Sequence, residues 1–169
     1  MKIVGAIALI VSSGAYGIHS GRKLEISLEQ TRDFWNGLNA LKQEIYLNAS
    51  PIGIALERVS QLMSTDARLV FLECGKCLSK QNGTSLKDCL LSFINDEKLL
   101  IDDQSKNIIS QWSAKAGNGD RKSELDSLEC AIAQLDQHIN NMEEQNVKKA
   151  KLYKNCGFLV GAFIVAVLI

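Results

Sequence analysis

The last fifty residues constrain the fold more than any other stretch. From Asp120 to Ile169 there is no proline, and the two glycines, Gly157 and Gly161, come only near the end. Leu125, Leu128, Ile132, Leu135, Ile139 and Met142 recur in steps of three and four, which puts them on one stripe of an α-helix. Lys148, Lys149, Lys151 and Lys154 then form a basic collar, and residues 155–169 carry no charge. We read one continuous helix, roughly 75 Å long at about 1.5 Å per residue. Its first part packs in water and its last part, 152–169, is expected to enter a bilayer. Counted from Leu152, with Lys154 snorkelling, the span reaches about 18 residues, roughly 27 Å, short but sufficient for a thin membrane. The competing reading is a buried core helix. The all-round apolar character and the lysines directly before it weigh against that.

The other end has the same character. Met1-Lys2 precedes Ile3 to Ile18, a run without a charge. A cleaved signal peptide would also show a basic start, an apolar heart and small residues, here Ser12 to Ala15. We favour an uncleaved anchor over 1–21. Arg22 and Lys23 follow it, and the lysine collar precedes the second anchor, so both basic flanks adjoin the middle segment. The positive-inside rule then puts residues 22–151 in the cytoplasm and both termini on the opposite side.

That middle segment reads as an all-α antiparallel bundle of about six helices, the last continuous with the C-terminal anchor. A single proline and little Val-Thr-Tyr alternation argue against sheets. Leu24 to Leu47 gives a helix with Phe34, Leu38, Leu41 and Ile45 on one face. Ser50 is expected as N-cap and Pro51 as first residue of a second, with a stripe of Ile52, Ala55, Val59 and Leu62. A third runs from Asp66 to Gln81, capped by Thr65, buried through Val70, Cys74 and Cys77, and ended by Asn82-Gly83. Ser85 and Asp88 resemble a capping box before Leu86, Cys89, Leu90 and Phe93. A fifth covers about Glu97 to Lys115, with Ile108, Ile109 and Trp112 inward. Gly117 to Gly119 turn the chain, and Asp120 caps the last helix. The start of the second helix, 50–56, is echoed at 84–90 by a capping residue, an apolar residue, a small residue and leucine at matched spacing. On composition alone, that is what helix starts share.

Little here points to chemistry. The charges balance, 19 basic against 19 acidic, so no basic field argues for nucleic acid. Cys74-Gly75-Lys76-Cys77 is a C-x-x-C, but it lies in a helical stripe with no strand before it, unlike a thioredoxin-type site. A zinc site recruiting Cys89, Cys130 or His138 would need fortuitous geometry. Structural burial is the favoured reading, and a cytoplasmic location leaves all five cysteines reduced. Asp102-Asp103 reads as a helix start, His19 as a membrane-boundary residue and His138 as part of a polar helix face. No catalytic residue, cofactor site or metal site is assigned, and no enzyme activity is expected.

The short N-terminal anchor, Tyr46, Ser50-Pro51, the turn before Asp120 and the closing run from Lys151-Leu152-Tyr153-Lys154 through Gly157 and Gly161 resemble the stage III sporulation protein AB family. That family is in turn similar to cytoplasmic domains of the platform proteins of type II secretion and type IV pilus systems, which carry the pattern echoed at 50–56 and 84–90. The resemblance implies a non-enzymatic membrane platform in the channel between mother cell and forespore of spore-forming bacteria. It implies as partners the ATPase of that apparatus, stage III sporulation protein AA, and the channel's other membrane proteins, with the bundle facing the mother-cell cytoplasm. Two alternatives stay open: a membrane-tethered redox or metal-binding protein using Cys74 and Cys77, and a coiled-coil scaffold using the stripe from Leu125.

Overall fold

The computed structural model describes residues 2–63, 67–80, 85–94, 99–117 and 120–168, with side chains described only between 23 and 146. Among the described residues it is all-helical: α1 (Lys2–Asn48), α2 (Ile52–Leu62), α3 (Ala67–Ser79), α4 (Leu86–Ile94), α5 (Asp103–Lys115) and α6 (Arg121–Leu168). The chain divides into two compact units, one of Ser27–Asn140 and one of Met1–Ile26 with Asn141–Ile169. The second contains only the outer ends of α1 and α6, each helical to within a residue of the terminus. Among the described residues no helix is long and apolar enough to cross a membrane. The segments expected as anchors, 1–21 and 152–169, lie outside the residues whose side chains are described.

Within Ser27–Asn140, α1 and α6 run antiparallel. Arg121, which opens α6, donates to the carbonyl of Tyr46 near the end of α1, and Lys42 pairs with Glu129 at 2.6 Å. Phe34, Leu38, Leu41 and Ile45, spaced by four, three and four, give α1 a fully buried stripe, and Leu128 and Leu135 of α6 are equally buried. The alternative of a coiled-coil seam is thereby corrected: Leu128, Leu135 and Ile139 are at most 6 % exposed inside the chain's own bundle. The reason is that the short helices each bring an apolar face to the long ones; Leu125, Ile132 and Met142 of the same stripe are half-buried.

The α2–α3 pair is set by glycine. A Cβ on Gly75 would lie 2.6 Å from Glu57 Cγ and 2.9 Å from the carbonyl oxygen of Gly53. The two backbones therefore touch where any side chain would hold them apart. Phe71 packs on Phe34 with ring centroids 5.7 Å apart, which seats the hairpin on α1. Gly117 closes α5 at φ +82°, a conformation that side chains with a Cβ rarely adopt.

Several local expectations need correction. Pro51, not Ser50, occupies the N-cap of α2, and no side chain caps that helix; Ser50 instead donates to Glu44 and accepts from Arg58. Leu62, placed on the buried stripe of α2, is 80 % exposed, because α2 ends there and Met63 is already extended. The fifth helix starts at Asp103, not near Glu97. Leu99 and Ile101 both face the core, an alternation that suits extended chain and not a helix, and the N–H of Leu100 between them donates to Gln30 Oε1 at 2.7 Å. Thr65, Asp66, Gln81, Asn82, Gly83 and Glu97 lie outside the described residues. The capping residues Ser85 and Asp120 act as read: Ser85 Oγ accepts from Asp88 N at 3.2 Å and Asp120 Oδ1 from Ser123 N at 3.1 Å. The short Asp88 side chain returns to the Ser85 hydroxyl, at 2.7 Å, where a glutamate would reach the backbone.

Candidate functional site

Two places within Ser27–Asn140 gather groups capable of chemistry. The first is built on Asp102, the N-cap of α5. Its extended backbone leaves the carboxylate over the first turn, where Oδ2 accepts from the N–H of Gln104 at 3.1 Å. Ser105, one turn on, donates to Oδ1 at 2.5 Å, and His138 of α6 reaches Oδ2 through Nε2 at 2.8 Å. Thr31 of α1 sits 3.2 Å from the Ser105 hydroxyl while donating to the carbonyl of Ser27 at 2.8 Å. With each hydroxyl proton committed elsewhere, the Thr31–Ser105 contact is the weakest link. The cluster nevertheless ties three helices together. Burial pushes the Asp102 carboxyl up, but the hydrogen bonds from Ser105, His138 and Gln104 outweigh it and hold the group below its ordinary range.

Serine, aspartate and histidine in contact invite comparison with a hydrolytic triad, and the order decides against it. Here the carboxylate stands between the other two, and Ser105 donates its proton to Asp102, so no base activates the hydroxyl. The cluster is a helix cap with a cross-helix tie. His138, placed on a polar face by the sequence reading, is 8 % exposed. The periodicity of α6 gives it away, since it adjoins the buried Ile139 and lies three residues from Leu135. Asp103 is an exposed first-turn residue, and His19 lies outside the described side chains.

The second place is the cysteine corner. Cys77 of α3 is joined to Cys89 of α4, with their Cα atoms 6.5 Å apart. This corrects the expectation that all five cysteines are reduced, and it also corrects the pairing suggested by the C-x-x-C. Cys74 and Cys77 lie one turn apart on the same helix and face different neighbours. Cys74 is free and fully buried, its thiol pushed up to about 12 by burial and, less, by the charge of Glu73. Cys130 is free and exposed, lining a shallow groove between α5 and α6 with Trp112, Lys115 and Gln134. Among the described residues no three of histidine, cysteine, aspartate and glutamate converge to hold a metal ion. The partner of Cys77 was legible only as a member of the 84–90 echo, where Cys89 stands at the position of the buried Ala55.

The echo itself is structural. Residues 50–56 open α2 and the described part of its echo, 85–90, opens α4; Ala55, Leu56, Cys89 and Leu90 are all at most 3 % exposed.

Comparison with known proteins agrees with this architecture. A solved structure of stage III sporulation protein AB superposes with a TM-score of 0.61 at 17% sequence identity, covering 72% of this chain and 97% of the other. Stage III sporulation protein AB of Bacillus subtilis (strain 168) is 21% identical across 99% of both chains. The family model described as stage III sporulation protein AB matches residues 2–169, and the chain belongs to that family.

Proposed function

We propose that this chain is a non-enzymatic membrane platform of the sporulation channel between mother cell and forespore. It couples the secretion-type ATPase stage III sporulation protein AA to the other membrane proteins of the channel. One observation carries the reading: α1 and α6 run 47 and 48 residues without a break, from a bundle of short helices into the uncharged runs 3–18 and 155–169. Helices of globular proteins average about 10–14 residues, and only residues 27–48 and 121–140 of these two lie in the bundle unit. The extra length has the reach of a bilayer span, about 20 residues, and the lysines and arginine beside both ends favour a cytoplasmic bundle with both termini across the membrane. The role is positional. Two anchors hold the bundle against the bilayer, and its exposed apolar corners, at Tyr46 and Leu47 and at Leu62 and Leu69, are offered to partners.

Co-purification of the intact protein from membranes of sporulating cells tests the coupling. The ATPase is expected to stay bound through detergent extraction and to be lost when residues 22–151 are removed between intact anchors. Equal recovery with the anchors alone rejects the bundle as its seat. Topology is read separately at Cys130, the exposed free thiol. A membrane-impermeant maleimide applied from outside should spare it, and rapid labelling inverts the arrangement.

A further inference from the structure

The corner where α3 meets α4 carries a covalent bond that the platform reading does not use. We propose that Cys77 and Cys89 are a reversible thiol–disulfide pair, opened and closed by exchange with small-molecule thiols and disulfides at the Cys77 sulfur, which staples α3 to α4 only when oxidised. The inference rests on the corner alone and stands whether or not the platform reading does.

Access selects the sulfur. Cys77 is half-buried, whereas Cys89 is 3 % exposed, so an incoming thiolate reaches Cys77. The attack forms a bond from the small thiol to Cys77 Sγ. The protein S–S bond breaks, its electron pair leaves on Cys89 Sγ, and that sulfur takes up a proton. A second small thiolate then attacks the small-molecule sulfur of the mixed disulfide and releases Cys77. In sum, one protein disulfide and two small thiols give two protein thiols and one small disulfide. Closure is the reverse, with a small-molecule disulfide as oxidant.

Cys74 takes no part. It stands one turn before Cys77, but with its thiol pushed up to about 12 it holds almost no thiolate at neutral pH. The C-x-x-C is therefore not the working pair, and the exchange has no internal shortcut. The consequence falls on α4. It has nine residues, too few to stand as a helix without tertiary support, and the staple lies in its first turn. Reversibility also reconciles a disulfide with a bundle whose basic flanks point to a reducing compartment.

The experiment uses the intact protein in detergent, poised in buffers of stepped ratios of reduced to oxidised glutathione. Thiols are trapped with a maleimide and mapped by peptide mass. Cys77 and Cys89 should cross together from a linked peptide to two alkylated ones as the ratio rises, with Cys74 unchanged. Reduction should speed amide exchange across 86–94 at least tenfold and leave 125–140 unmoved. In Cys89→Ala, which takes the residue of the matching position in α2, a glutathione adduct should collect on Cys77. Cys77→Ala should give at least tenfold less adduct on Cys89. Separate alkylation of both cysteines at every ratio overturns the proposal, as does a Cys74–Cys77 link or an adduct favouring Cys89. The wild-type titration decides even if a variant fails to fold.

Discussion

The helices α2 and α4 open with the same sequence pattern and pack on the same neighbour, α3, yet they are held by different means. On one side of α3 the contact is backbone on backbone, with Gly75 set against Gly53 and Glu57. On the other it is a covalent bond between Cys77 and Cys89. Their starts differ too. The first turn of α2 has no side-chain cap, whereas α4 has the Ser85–Asp88 exchange. The pattern thus encodes what the two sites share, a turn followed by a small and a large residue facing the core. It does not encode how each helix is fastened, because fastening is decided by what stands opposite.

The strongest way to break the comparison is to attack what the two helices share. Leu56 and Leu90 occupy matching positions and are 2 % and 3 % exposed. Leu56→Ala and Leu90→Ala should each destabilise the protein by about 2–5 kcal/mol, through lost transfer energy and the cavity left behind. Denaturant melts with the disulfide intact should give costs within about 1 kcal/mol of each other. A Leu90→Ala cost far below that of Leu56→Ala would mean that α4 is held by its staple and not by its core face.

The next test separates the fastenings. Gly75→Ala gains about 1 kcal/mol of helix propensity, but the new methyl meets the Gly53 carbonyl oxygen at 2.9 Å and the Glu57 nitrogen at 3.0 Å. Backbone cannot step aside as a flexible side chain can, so overpacking wins and the net cost should be about 1–3 kcal/mol. Thermal melts of reduced and oxidised protein should show the same drop, because the damage lies on the α2 side. A drop confined to the oxidised form would place the strain on the α4 side instead.

These contrasts show what was legible in the sequence. The buried stripes of α1 and α6 were readable because a 3.6-residue period is a property of one helix and its core. The caps at Ser85 and Asp120 were readable because capping is local. Residues 99–102 misled because a stretch containing Leu99, Leu100 and Ile101 suits a helix as well as an extended strand, and only the Gln30 contact from α1 decides. Cys77–Cys89 and the His138–Asp102 tie join residues twelve and thirty-six apart. Such pairs follow from how helices dock, and no local pattern carries them.

The helix that follows α4 extends the comparison, since its cap is ionised. Asp102 has its folded-state value below the ordinary 3.8 despite the opposing effect of burial. The unfolded chain therefore binds more protons between the two values. The contribution is complete above about pH 4 and is lost as pH falls through the folded value. Asparagine caps a helix as well as aspartate does, so Asp102→Asn loses only the charge on the bonds from Ser105 and His138; it should lower stability at pH 7 by about 1 kcal/mol and flatten that acid limb. Glu124 has the opposite sign. Burial chiefly raises it, against a hydrogen bond from the Gly117 N–H, so its contribution favours the folded state at low pH and fades as pH rises through the raised value. A pH titration of the melting midpoint in both Asp102→Asn and Glu124→Gln distinguishes the two limbs.

The smallest expected effect is the most pointed, because sequence and structure disagree about it. By pattern, Ser50 and Ser85 both stand where a serine caps a helix. Ser85 Oγ accepts the Asp88 N–H and donates to its carboxylate. Removing it orphans a first-turn donor, at a cost of about 0.5–1 kcal/mol for an exposed cap. Ser50 Oγ makes no cap bond; it shares Glu44 with Arg58 and Asn48, an exposed network already joined by the Arg58–Glu44 pair at 2.6 Å. Ser50→Ala should therefore change stability by less than about 0.5 kcal/mol. Measured side by side in urea, the Ser85→Ala midpoint should fall clearly below the Ser50→Ala midpoint, with equal slopes. Equal losses would return Ser50 to the N-cap of α2, and the two helix starts would then be alike in fastening as well as in pattern.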